Sequence, residues 1–243
     1  MSAADDATRR NEIVGAGRAR ISSMREASWL DEQEFDALCV LHALTADKSS
    51  LASFELLIRQ LLQKSQGKNF IVGVTGLERG VGCSYTALNL AATLAMDHHR
   101  TSMLIECSSH SWTLDQMIRP KPEVNLRNYL LDDSIDATRL VYAAGISRMR
   151  AVPYGETIIP ERLLNSIRMR ELLSESRERY TDRFLIVDLP PVESLGRLKQ
   201  LMEVIDYSML VVPYGVSARR VKSAKKALGN HPLAGLVMNR VPG

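Results

Sequence analysis

The sequence predicts an α/β fold, a doubly wound and mostly parallel sheet with a helical N-terminal extension. Three observations carry that prediction. From Asn69 onward the apolar runs NFIVGVT, TSMLIEC, SRMRAVPYG, DRFLIVDLPP, YSMLVVPYG and LAGLVMNRV alternate with segments of helical spacing. Runs of that length separated by helices read as buried parallel strands, because a parallel connection needs a crossover long enough to hold a helix. The first run leads into a glycine-rich stretch and then into ALNLAATLAM, the strand, loop and helix order of a phosphate-binding turn. With 45% hydrophobic, 24% charged and only 5% aromatic residues in 243, the composition suits an aliphatic α/β core better than a β-sandwich.

The elements follow in chain order. Residues 1–25 are rich in Ala, Ser, Gly and Arg without apolar periodicity, bury too little to offset the entropy of ordering them, and read as a flexible tail. Residues 26–66 read as a helical lead-in. In its first half Trp29, Leu30, Phe35, Leu38, Leu41 and Leu44 could line a helical face; in its second half Phe54, Leu57, Ile58 and Leu61 recur at helical spacing. Packing on the main domain is the leading account of both stripes, and a weaker one makes Trp29, Phe35, Leu38 and Leu41 a docking surface for a partner. Residues 67–243 form the α/β domain, and its strand ends matter most, since ligands of such sheets sit beyond the carboxyl ends of the strands.

Composition excludes several classes. A net charge of +3 falls far short of the concentrated field of a dedicated nucleic-acid binder. The helix SARRVKSAKKALGNH puts Arg219, Lys222 and Lys226 on one face and Val221, Ala224 and Leu228 on the other, which a solvated amphipathic helix explains. Cys39, Cys83 and Cys107 form neither an even framework nor a metal-ligand spacing, pointing to a reducing, cytoplasmic setting and to no metal centre. No window is apolar for the length of a bilayer crossing, and MSAADDATRR lacks the core of a signal peptide. Any work at a membrane then calls for a partner to hold the chain there.

The stretch TGLERGVGCSY closes the first run. A working phosphate loop of the form GxxxxGK[ST] uses glycines to close backbone amides on phosphates, a lysine on the β and γ oxygens, and a hydroxyl on magnesium. Gly80, Gly82 and Ser84 are in place, whereas Leu77 occupies the first glycine position and Cys83 the lysine position. A neutral thiol cannot offset the charge of a transferring phosphoryl group, and that electrostatic term carries most of such catalysis. Glu106 and Ser108 emerge from the second run, where carboxylates could position magnesium or water. Asp188 ends the run FLIVD; a magnesium-supporting role and a plain bond to the Ser84 hydroxyl are equally good accounts of it.

These residues carry a resemblance. The order GVGCSYTALNLA, LIECSSHS, VPYGETIIPERLLNSIRMRELL, FLIVDLPP and AGLVMNRV resembles the cytoplasmic P-loop domain of bacterial tyrosine kinases and chain-length regulators of capsule and exopolysaccharide synthesis. These belong to the MinD/ParA-like branch of P-loop NTPases, and the resemblance covers roughly residues 48–241. It implies that Gly80, Gly82 and Ser84 match the phosphate loop, with Cys83 replacing its lysine and Tyr85 a small residue. It further implies that Glu106 and Ser108 replace the two aspartates of an LLIDADLR-type motif, that Asp188 matches the Walker B aspartate, and that Asn239 lies near the adenine. The family's ring-forming charged positions fall here on Ala52, Glu55 and Ile58, which weighs against that assembly and leaves homo-oligomerisation open.

The resemblance implies a catalytically degenerate relative, recruited to the inner membrane by the cytoplasmic segment of a polysaccharide co-polymerase and acting there by binding. No cofactor is expected, with residual ATP or ADP and magnesium as the exception to test. Two rivals stay open. One is an active ATPase or tyrosine kinase of the same family using a substitute cation such as Arg79; the other is a MinD/ParA-like spatial organiser.

Overall fold

The computed structural model describes residues 30–108 and 112–239. Helices α1 (Glu32–Ala37) and α2 (Lys48–Lys64) lead into β1 (Ile71–Gly76), α3 (Cys83–Ala95) and β2 (Thr101–Glu106). After α4 (Trp112–Met117), α5 (Leu126–Leu131) and a 3-10 turn over Ala137–Leu140 come β3 (Tyr142–Ala143) and β4 (Met149–Val152). The chain continues through α6 (Glu161–Leu164), α7 (Ile167–Glu178), β5 (Arg183–Asp188), α8 (Val192–Leu195) and α9 (Lys199–Met202), and ends with β6 (Tyr207–Pro213), α10 (Ala218–Leu228) and β7 (Leu233–Asn239). One seven-stranded sheet runs in the order β3-β4-β2-β5-β1-β6-β7. Every pairing is parallel except β3 with β4. Each apolar run read from the sequence holds one strand; β3, two residues long, is the one without such a run.

Successive residues of the central strands feed opposite faces, as the two-residue period of a strand requires. Val72, Val74, Leu104, Phe184, Ile186, Met209 and Val211 pack with α2 and α3 on one side. Ile71, Met103, Ile105, Leu185, Val187, Leu210 and Val212 pack with α5, α7 and α8 on the other. With both faces covered there is no polar side to alternate with, which is why these strands read as unbroken apolar runs. Helix α3 is buried from Thr86 to Ala95, and its small residues Ala87, Ala91, Ala92 and Ala95 let it lie close against the sheet.

The lead-in is part of this core. Asp31 and Glu34 form a reciprocal capping box at the start of α1, but the helix stops at Ala37 and Cys39 turns the chain at φ 55°. A single helical face reaching Leu44 is therefore corrected: Val40 and Leu41 enter the core after the turn, and Leu44 is left 67% exposed. The docking surface on Phe35, Leu38 and Leu41 is corrected with it. Phe35 and Leu41 are buried and Leu38 packs beside them, so these side chains are spent on the chain's own interior; Trp29 lies outside the described residues. Asn89 of α3 fixes the arrangement, accepting from Leu41 N at 2.7 Å and donating to the carbonyls of Cys39 and Tyr85 at 3.2 and 3.1 Å. Along α2, Phe54, Ile58 and Leu61 are buried with Leu57 packed against them.

Candidate functional site

The carboxyl ends of β1, β2 and β5 meet at one cavity of about 370 Å³. Its walls include Gly80, Gly82, Cys83, Ser84, Tyr85 and Ser108, so the sequence-selected loop residues do converge. Gly80 and Gly82 hold φ of 79° and 96°, a region L side chains seldom adopt. Gly82 has a second constraint: a Cβ there would lie 2.0 Å from the Asn239 carboxamide nitrogen. That nitrogen donates to Val81 O at 2.9 Å, so β7 holds the back of the loop through Asn239.

Cys83 begins α3 with its sulfur folded into the turn, since a Cβ on Gly76 would come within 2.4 Å of Sγ. Burial, and then the neighbouring Asp188 carboxylate, push its thiol up to about 12, so at neutral pH it is protonated and carries no charge. Ser84 Oγ donates to Asp188 Oδ2 at 2.7 Å, which realises the simpler of the two readings of Asp188. The other carboxylate oxygen, Oδ1, is buried without a hydrogen-bond partner, and burial raises the Asp188 carboxyl to about 7, the Ser84 hydroxyl offsetting part of the rise. A buried acceptor left unfilled beside a hydroxyl is the donor set a hydrated divalent cation would use.

Glu106 sits directly across from Asp188 in the β2–β5 register, but its Oε2 accepts from Tyr154 N at 3.0 Å. It thereby braces the VPYGETIIP loop, in which Tyr154 OH accepts from Ile159 N at 2.7 Å. The same loop passes Asn125 at Gly155, whose φ of 101° and absent Cβ make room for the carboxamide. Tyr85 stands edge-on to Phe54 of α2 with ring centroids 6.3 Å apart, and burial raises its phenol. Cys107 is buried, which holds its thiol well above the ordinary range; all three cysteines are free.

Sequence reasoning missed four contributors. Leu189 and Pro191 wall the cavity, and Pro190 O accepts from Thr75 Oγ1 at 2.7 Å; the signal was the LPP that follows Asp188. Glu78, also a wall residue, is held by Arg220 of α10 at 2.7 Å, a partnership without a local signal. Arg79, considered as a substitute for the lysine, is exposed on the rim.

Comparison with known proteins agrees with this fold. No family model matches the chain. The tyrosine-protein kinase CpsD of Streptococcus agalactiae is 23% identical over 189 residues, covering 76% of this chain and 81% of that protein. The kinase domain of the Escherichia coli tyrosine kinase ETK superposes with a TM-score of 0.71 at 19% identity, covering 90% of this chain and 85% of that one. The MinC:MinD cell division complex of Aquifex aeolicus matches with a TM-score of 0.55 at 15% identity over 71% of this chain and 69% of that one. In sequence and in fold, the chain is similar to the bacterial tyrosine kinase domains, and it shares the mostly parallel P-loop architecture of MinD- and ParA-type structures.

Proposed function

We propose that this chain works by binding rather than by phosphotransfer, as a catalytically silent relative of the tyrosine kinase domains that docks on the cytoplasmic segment of a membrane polysaccharide co-polymerase in exopolysaccharide synthesis. The observation that carries the proposal is Cys83. Where a cation would meet a terminal phosphate, the loop holds a half-buried, uncharged thiol, and Arg79 stays on the rim. Removing one transition-state donor typically costs about a hundredfold or more in rate, and here the missing group is the charged one. The turn around it keeps Gly80 and Gly82, the α3 amino end and the Asn239 brace. A preserved frame around a neutralised centre fits a role in contact with other proteins. Recruitment to the inner membrane would follow from the partner.

The residues fit ATP and magnesium unevenly. Ser84 and Asp188 would hold a hydrated magnesium ion, whose charge would neutralise phosphate oxygens, while the side chain at position 83 offers a γ-phosphate nothing. The unpartnered Oδ1 of Asp188 favours a second reading, nucleotide held with magnesium but not turned over. Titration calorimetry with ATP and magnesium, run beside a phosphate-release assay, separates the readings. The binding role predicts no release above background for the wild type. Steady release that Asp188→Ala abolishes would overturn it, and heat of binding without release would select the second reading.

A further inference from the structure

A second cavity, of about 600 Å³, opens at the opposite end of the sheet. Asp188 closes β5 beside the glycine loop; Arg183 opens the same strand and lines this other cavity. Its remaining walls come from Arg150 of β4, the carboxyl-terminal part of α7 with Arg179 and Tyr180 beyond it, and the 3-10 turn.

Three arginines thus line one cavity. Arg183 is only 6% exposed, its Nε is buried without a hydrogen bond, and its guanidinium lies 3.8 Å over the Tyr180 ring. It has no carboxylate at ion-pair distance among the described residues. Burial lowers its pKa, as it does that of Arg150, and the two cations repel one another. Part of this charge is offset: Glu175 shares the wall, Asp182 and Asp136 act on Arg183 and Arg179 from outside it, and the carboxyl end of α7 is the negative end of its dipole. The Nε donor remains unanswered, and a buried guanidinium donor without an acceptor is unfavourable.

We propose that this cavity binds a small phosphorylated metabolite. Arg150 and Arg183 hold the phosphate, since guanidinium groups match its oxygens in pairs. Thr138 and Ser176 offer hydroxyls, and Ala137, Val141 and Leu172 form an apolar side for the rest of the molecule. The volume falls in the roughly 300–1,000 Å³ range of small-molecule sites. This inference is independent of the glycine loop and stands or falls apart from it.

Nuclear magnetic resonance on the full, isotope-labelled chain tests it, with ribose 5-phosphate as the probe and citrate as the carboxylate control. The expected result is a saturable shift of the Arg183 Nε–H and Tyr180 amide signals by ribose 5-phosphate and a weaker response to citrate. Arg150→Gln should loosen binding by about tenfold or more, the scale of one lost charge-assisted pair. Arg183→Gln, read at the Tyr180 amide, is the second variant should Arg150→Gln not fold. Absence of saturation at these signals, shifts confined to the amides of Gly80–Ser84, an equal or stronger response to citrate, or a folded variant that binds like wild type would each overturn the proposal.

Discussion

The substitution Asp188→Asn should flatten the pH dependence of stability between about pH 5 and 8. The carboxyl is 1% exposed, and burial lifts it from 3.8 to about 7. Burial penalises the charged form, so the folded chain holds this proton more tightly than the unfolded chain does. The group is therefore neutral in its effect below the unfolded value, becomes increasingly destabilising as pH rises from about 4 to 7, and reaches a constant penalty above that. A shift of about three pH units corresponds to a full penalty of about 4 kcal/mol. Of this, about 3 kcal/mol develops between pH 5 and 8. The introduced carboxamide would still accept from Ser84 Oγ, while its NH₂ group would leave donors unbonded at a cost of about 1–3 kcal/mol that does not change with pH. The slope, not the absolute stability, is thus the informative quantity. Urea denaturation of both proteins at several pH values in this range measures it. Parallel curves would show that Asp188 is charged throughout and that its environment is more polar than the burial argument holds.

Other outcomes follow from the same geometry. Asn89→Leu leaves Leu41 N–H and the Cys39 carbonyl without their partner and should cost about 2–4 kcal/mol in a denaturation experiment; a loss under about 0.5 kcal/mol would mean that water replaces the carboxamide. Gly82→Ala combines a φ of 96° with displacement of the Asn239 side chain, for an expected loss of about 2 kcal/mol, of which the Asn239→Ala background should recover the displacement part; strict additivity in that double-mutant cycle would refute the contact. With its thiol near 12, Cys83 has about one part in ten thousand as thiolate at pH 8. Iodoacetamide should accordingly label exposed Cys39 long before half-buried Cys83, as read by peptide mass spectrometry, and comparable labelling would contradict the raised thiol. Cys83→Lys restores a cation at the loop and should tighten ATP binding by about tenfold or more; unchanged calorimetry would mean that the thiol was not the defect.

The sheet was readable because both its faces are buried. Leu185 and Ile186 serve opposite cores, so burial on both sides erases alternation and leaves runs long enough to recognise. β3 escaped because a two-residue antiparallel edge has no run of its own. The convergence of Gly80 to Tyr85 with Ser108 followed from strand-end logic, and the Ser84 to Asp188 bond was one of two readings the residues allowed. The role of Glu106 was not legible: its backbone partner, Tyr154, lies 48 residues away, and nothing in LIECSS states which way a carboxylate turns. The lead-in misled for a related reason. Leu38 to Leu44 keep helical spacing in sequence, yet the turn at Cys39 and the Asn89 side chain impose an irregular path, a case of tertiary hydrogen bonds overriding local pattern.

The Asn89 carboxamide reaches the main chain on both sides of Val40 while also bonding the carbonyl of Tyr85, the residue next to Ser84 in the same helix. One amide group thereby couples the stretch that arrives from the amino terminus to the turn that surrounds the glycine loop. Peeling residues 39–41 away would strip two bonds from Asn89 and expose a patch of α3 one helical turn from Ser84.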